Sequence, residues 1–407
     1  MFTISIEKKN LTIMLIANFL VAASATMVLP FLSLYIETFG SFSHEYVQRW
    51  SGFVFGITFL TAFFISPLWG RIGDRYGYKP ILLITGYGIA LSIFFMGFMN
   101  SVWGLFFLRM IMGAVTGFIP TSMALISAQT PKKEAGRTLG TLQMGTVSGG
   151  LFGPVIGGLL ADNVGFSYTF IFTSIAIATA ATFVLFGINE QRNQEQKDRR
   201  NHYTRKQVLQ HIFEHKLLVT VILLSFLIQV ANFSIQPLLA LYVDELTSST
   251  NLAFLAGIAF SATGFGNLLA TRQWGKLGDD IGYEKVLSIL LVLASIFIIP
   301  QALAEELWQL VLFRFLFGIA IGGMIPCVTA YIRQEAPLRM QGEVLGYNQS
   351  FRFLGNVVGP AFGGIVSGYI GISSVFYVTG ALFLGAFGLL WWSIRHSESS
   401  RHVNQDY

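Results

Sequence analysis

Trp69-Gly70-Arg71-Ile72-Gly73-Asp74 returns 205 residues later as Trp274-Gly275-Lys276-Leu277-Gly278-Asp279. The same displacement carries Arg109, Gly113 and Gly117 onto Arg314, Gly318 and Gly322, and one of 206 carries Gly153-Pro154 with Gly157-Gly158 onto Gly359-Pro360 with Gly363-Gly364. Nearer the start of each copy, Leu29-Pro30-Phe31-Leu32-Ser33-Leu34-Tyr35-Ile36-Glu37 aligns with Gln236-Pro237-Leu238-Leu239-Ala240-Leu241-Tyr242-Val243-Asp244. The chain is therefore a duplication of one unit.

Around these motifs the residues are apolar in runs of about twenty, the helix length that crosses a bilayer core. Charged residues are 12% of the chain and apolar ones 53%, against roughly 25% charged in a soluble domain. The bilayer is thus the solvent. Within it every backbone N–H and C=O needs an internal partner, and glycine-rich runs without strand-like alternation satisfy that as helices. Spans are predicted at 11–36, 47–69, 80–99, 103–127, 139–161 and 166–188, then at 217–243, 253–273, 286–302, 307–331, 344–368 and 372–394. The predicted fold is an all-α membrane protein of 12 transmembrane helices in two six-helix halves, 1–188 and 217–396. A linker at 189–216 joins them and a tail at 397–407 follows.

All but four of the 26 Lys and Arg residues fall at the N-terminus, in the loops after even-numbered spans or at their edges, in the linker or after the last span. Basic residues favour cytoplasmic loops, so both termini and the linker are expected on the cytoplasmic side of the membrane. Lys8-Lys9, an apolar stretch and Ala23-Ser24-Ala25 have the outline of a secretory leader. The copy of Leu29–Glu37 at Gln236–Asp244 argues instead for a retained span. The linker residues Val208, Leu209, Ile212 and Phe213 share a helical face among basic neighbours, the pattern of a helix on the membrane surface. The net charge of +5 is explained by topology and needs no nucleic acid. The single Cys327 has no partner in the chain for a disulfide, and no metal-ligand cluster or cofactor motif is expected.

Three stretches carry chemistry. The first is Gly70-Arg71-Ile72-Gly73-Asp74-Arg75-Tyr76-Gly77-Tyr78-Lys79, a predicted loop whose glycines permit a tight turn and whose charges can form switchable pairs. The second is Leu105-Phe106-Phe107-Leu108-Arg109-Met110-Ile111-Met112-Gly113. It places Arg109 about 9 Å into span four, where a charge costs about 2.5–3.5 kcal/mol and should face a cavity or a partner. The third is Gly145, Gly149, Gly153 and Gly157 with Pro154 and Gly158 on span five, a small-residue stripe beside a bend point.

On these stretches the chain resembles the major facilitator superfamily, in particular the twelve-span drug:proton antiporter branch and its MdtG-like multidrug efflux transporters. The resemblance implies a conformational switch built from Gly70, Asp74, Arg75, Gly77 and Lys79, with Asp74 at the positive end of span eleven. In the second copy Asp279 is kept, but Asp280 and Glu284 stand where Arg75 and Lys79 do in the first. It further implies a role for Arg109 in proton transfer and an antiporter motif at Gly149, Gly153, Pro154, Gly157 and Gly158. The residues by themselves equally permit solvated loop charges, structural pairing of the arginine and an ordinary helix-packing seam.

Polar residues inside apolar spans are the candidates for a substrate cavity: Asn18, Gln143, Gln229, Asn232, Gln236, Asn267, Arg314, Gln349, Arg352 and Asn356. Gln349, Arg352 and Asn356 share one helical face by spacing. No acid lies deep in a predicted span, so Glu37, Asp244 and Asp162 at the outer ends join Arg109 as proton-coupling candidates. No GxxxxGK[ST] loop is present to bind nucleotide, so the energy must come from a gradient, and the resemblance implies a gradient of protons. The resemblance implies export of small amphipathic drugs or toxic compounds from a bacterial cytoplasm, across the cytoplasmic membrane, by proton antiport through alternating access, by a working monomer. The alternative is a carrier for one defined solute, such as a sugar, lipid-linked sugar or metabolite. An enzyme is not expected, since no Ser/His/Asp or Cys/His grouping gathers at one end of the spans.

Overall fold

The computed structural model describes residues 6–130, 135–190, 205–247, 249–337 and 340–403. The first copy contains α1 (Ile6–Met27), α2 (Leu32–Glu37), α3 (His44–Tyr76), α4 (Tyr78–Met96), α5 (Val102–Ala114), α6 (Phe118–Gln129), α7 (Ala135–Val164) and α8 (Phe166–Gly187). A short α9 (Arg205–Glu214) leads to α10 (Lys216–Ser234), α11 (Leu239–Leu246), α12 (Leu252–Ile281), α13 (Tyr283–Ile298), α14 (Leu307–Glu335), α15 (Gln341–Ile370) and α16 (Ile372–Val403). Among the described residues twelve helical segments are long and apolar enough to cross a membrane.

The duplication is visible in where the helices break. Spans one and seven both step through a short 3-10 turn, Leu29–Phe31 and Gln236–Leu238, each containing a proline that cannot donate to the helical ladder. Span four is divided between α5 and α6 just ahead of Pro120, whose ring crowds the carbonyl four residues earlier. Its counterpart α14 stays continuous with Pro326 inside it.

Gly77 and Gly282 separate α3 from α4 and α12 from α13 at φ 103° and 97°, a region closed to most side chains. Gly165 and Gly371 stand in the same relation further along, at φ 88° and 91°. These turns correct the expectation of a loop over Gly70–Lys79. Helix α3 runs on to Tyr76, only Gly77 leaves helical geometry, and α4 begins at Tyr78. With intact i to i−4 bonds a helix can continue past its apolar stretch until a residue with positive φ ends it.

By contact the chain divides into two units, one of Met1–Asp198 with Leu239–Ser261, the other of Arg199–Leu238 with Ala262–Tyr407. In the first, α1 packs on α7 and α8, and α4 on α8 and α5. In the second, α10 packs on α15 and α16, and α13 on α14 and α16. The linker expectation falls partly on residues 191–204, outside the described ones. Where α9 is described it departs from the expected surface face: Val208 and Ile212 are buried, at 1% and 6% exposure, while Leu209 and Phe213 are exposed. The helix docks on α10 and α15, and two apolar positions one turn apart suffice for that contact.

Candidate functional site

The candidate residues fall into five groups. At the turn between α3 and α4, Gly70 and Arg75 are exposed, and Arg75 lies over the Tyr76 ring at 5.3 Å. The side chain of Asp74 lies outside the described residues. Lys79 is fixed at both ends: its backbone N–H donates to Glu190 Oε2 at 3.0 Å, and its Nζ donates to the Ile188 carbonyl at 2.8 Å. Glu190 Oε1 also accepts from the Tyr78 N–H at 2.8 Å, so one carboxylate caps the start of α4. Sequence reasoning missed Glu190, because its partners lie more than a hundred residues away. In the second copy Asp279 is exposed and accepts a hydrogen bond from the Tyr283 hydroxyl.

Arg109 is buried on α5. Its Nε donates to the Val54 carbonyl at 3.3 Å, its Nη1 reaches Met112 Sδ at 3.9 Å, and its guanidinium lies 5.7 Å from the Phe55 ring centre. Thr58 Oγ1 returns a bond to the Arg109 carbonyl at 3.1 Å. Gly113, one turn on, lets the Thr58 backbone come close. The surroundings repeat in the second unit, where Gly318 lies against Thr263 and Arg314 is equally buried. Trp69 Nε1 donates to the Ala114 carbonyl and Trp274 Nε1 to the Ile319 carbonyl, both at 2.8 Å. Among the described residues no carboxylate is bonded to Arg109.

The glycine stripe of α7 lies on the main chain of α1. A Cβ at Gly145, Gly149, Gly153 or Gly157 would meet the carbonyl oxygens of Leu15, Phe19, Ala23 and Met27 respectively. Four-residue steps on both helices keep the backbones together along the whole seam. The second unit repeats it, with Gly355, Gly359 and Gly363 on Phe226, Val230 and Ser234 of α10. Gly158 turns another way, toward Ala253 at the start of α12, and Pro154 offers its carbonyl to Gly257.

Among the cavity candidates, α15 brings three together. Arg352 Nη1 donates to Gln349 Oε1 at 3.0 Å, and Asn356 continues the same face. Gln229 of α10 lies against Gly355, beside Asn356. Arg352 Nε and Asn356 Oδ1 are buried without a hydrogen-bond partner. In the first unit Asn18 is fully buried with neither amide atom bonded, although each such atom costs about 1–3 kcal/mol. Gln143 and Asn267 are exposed, the latter bonded to Thr271 at 2.9 Å, while Asn232 and Gln236 are half-buried.

The acidic candidates separate. Glu37 and Asp244 are within electrostatic reach of one another, with His44 and Glu245 beside them. The two carboxylate oxygens of Asp162 accept from the backbone N–H groups of Ala253 at 3.1 Å and Phe254 at 2.8 Å.

Twelve spans, a duplicated architecture and polar side chains set inside apolar helices define a membrane transporter. A model of the Major Facilitator Superfamily matches residues 14–270 and 221–406, and the chain belongs to that family of secondary transporters, which are not enzymes. The MFS-type transporter YuxJ of Bacillus subtilis (strain 168), described as uncharacterized, is 62% identical over 378 residues, covering 93% of this chain and 96% of its own. Multidrug resistance protein MdtG of Rahnella sp. (strain Y9602) is 39% identical over 389 residues, covering 95% and 94%. Among solved structures, a bacterial homologue of the human lysosomal transporter Spinster matches with a TM-score of 0.79 at 15% identity, covering 95% of this chain and 96% of that one. The D-xylose-proton symporter matches with a TM-score of 0.75, also at 15% identity, covering 94% and 97%. The protein is thus a multi-pass membrane transporter with bacterial relatives.

Proposed function

We propose that the protein exports amphipathic compounds from the bacterial cytoplasm in exchange for protons, working as a monomer with its termini and linker in the cytoplasm. The observation that carries this reading is the polar face of α15, Gln349, Arg352 and Asn356, with two buried polar atoms left without protein partners. A charge and two amides on one face of a span are costly against lipid and useful against a wet cavity. The relatives described as multidrug resistance proteins, at 39% identity, support a drug-like substrate class. In this reading the two six-span halves alternate access to the cavity, the Gly70–Lys79 turn controls one access state, and Glu37 with Asp244 exchanges protons at the opposite mouth.

Everted membrane vesicles test it. Uptake of a cationic dye should follow the pH gradient, collapse when the gradient is dissipated, and fall at least about tenfold in Arg352→Gln. Uptake indifferent to the gradient removes the proton. Thermal protection of the purified protein by one metabolite, with none from varied drugs, assigns it to a single solute instead.

A further inference from the structure

Helix α12 begins with a carboxylate it does not own. The Leu255 N–H donates to the Asn251 carbonyl at 3.1 Å, which makes Asn251 the first capping position and Ala253 and Phe254 the two N–H groups that an N-cap side chain ordinarily satisfies. Asp162 of α7 satisfies both, one oxygen to each. A carboxylate there also meets the positive end of a thirty-residue helix.

The bond closes one end of a longer seam. Leu151, Pro154, Gly158 and Asp162 lie along one face of α7, and opposite them run Ser261, Gly257, Ala253 and Phe254 of α12. Ser261 Oγ donates to the Leu151 carbonyl at 2.7 Å. Gly257 lies on the Pro154 carbonyl, and Gly158 on the main chain of Ala253 and Phe254. Two backbones so close over about 16 Å exclude water between them. The seam joins helices from different copies of the duplicated unit. It also ends at Ser261, beyond which α12 packs on α14 through Gly266 and Trp274.

The repeat adds a second argument. Gly153-Pro154 and Gly157-Gly158 have counterparts at Gly359-Pro360 and Gly363-Gly364, yet the position equivalent to Asp162 is Gly368. The duplicated scaffold therefore keeps the glycines and does not require the acid.

We propose that Asp162 is a positioning residue of the transport cycle: a latch on the start of α12 that holds the outer end of the α7–α12 seam shut and releases Ala253 and Phe254 whenever the cavity opens outward. This rests on the alternating-access reading and orientation proposed above.

The experiment uses full-length protein in cells with Cys327→Ser and a reporter cysteine at Leu151, which is 6% exposed and lies on the seam face. A membrane-impermeant maleimide is added outside. Asp162→Ala should raise the labelling rate on the order of tenfold, Asp162→Asn by less because one oxygen acceptor remains, and Asp162→Glu should stay near the parent. A control cysteine at Ile177, fully buried in α8, should stay protected in every variant. Unchanged labelling at Leu151 in Asp162→Ala overturns the latch. Equal exposure of Ile177 also overturns it, since Asp162 would then support the fold and not one access state. A rise seen only in inverted vesicles supports the latch and refutes the assumed orientation, which separates the two readings.

Discussion

Lys79 and Glu190 meet through the backbone: the Lys79 N–H donates to the Glu190 carboxylate at 3.0 Å while the lysine side chain goes to the Ile188 carbonyl at 2.8 Å. The turn after α3 is thereby fastened to the segment that leaves α8. Glu190 does for α4 what Asp162 does for α12, from the end of another helix. Replacing Glu190 with Ala uncovers the N–H groups of Tyr78 and Lys79, and losing a cap costs about 0.5–2 kcal/mol. The purified variant should melt earlier, Glu190→Gln should lose less because one acceptor remains, and dye efflux should fall in the same order. Efflux that falls without any change in melting would place Glu190 in the switch and not in the fold.

Arg109 separates structure from function more sharply. Its contacts are a carbonyl, a sulfur and a ring, so an unbranched apolar residue of similar length fills the site without leaving a buried countercharge behind. Arg109→Met should keep the melting temperature or raise it, since exchanging buried ionic groups for apolar ones is often neutral or stabilising. Transport should nevertheless be lost. Arg109→Lys should also fail, because an ammonium lacks the planar fork that reaches Val54 while lying beside Phe55. Retained efflux in Arg109→Met would reduce the arginine to a packing element.

The stripe on α7 allows an internal comparison. A Cβ at Gly157 would overlap the Met27 main chain, whereas Gly150, on the same helix, has nothing within 4 Å of its Cβ position. Gly157→Ala should therefore cost about 1–3 kcal/mol, the usual penalty of overpacking, and lower both expression and melting temperature. Gly150→Ala should be neutral in melting. Equal effects at the two positions would mean that the seam yields where the backbone contact forbids it.

Much of this was legible in the sequence, and the boundary has a physical reason. Apolar run length identifies the spans, and the repeat pairs Trp69 with Trp274 before any coordinate shows their matching bonds to Ala114 and Ile319. The face shared by Gln349 and Arg352 follows from helical periodicity and appears as a hydrogen bond. The reach of α3 to Tyr76 was not legible, because polar composition looks the same in a loop and in a helix that has left the membrane. The capping contacts of Glu190 and of Asp162, the latter expected only as a proton-coupling candidate, were hidden for another reason. A carboxylate that caps a distant helix leaves no periodic trace, and its partners are backbone N–H groups that every residue but proline possesses. Arg109 pointing to a carbonyl was invisible on the same grounds.

The docking of α9 should depend on pH. His211 lies on this helix with Nε2 buried and unbonded, its ring centre 4.2 Å from that of His215. Burial first, and then the neighbouring His215, hold its pKa below the ordinary histidine value, against the opposing pull of Glu214 and Glu335. Docking therefore favours the neutral ring. Its contribution is complete above the pKa of the undocked histidine and is lost as pH falls through the docked one. Phe213, 70% exposed on the same helix, gives a place for a spin label in a Cys327→Ser background. Label mobility should rise between about pH 7.5 and about pH 5.5, and His211→Gln should flatten that response while leaving the high-pH spectrum unchanged. If His211→Gln retains the full response, the titrating group is another one and the buried imidazole does not govern how α9 is held.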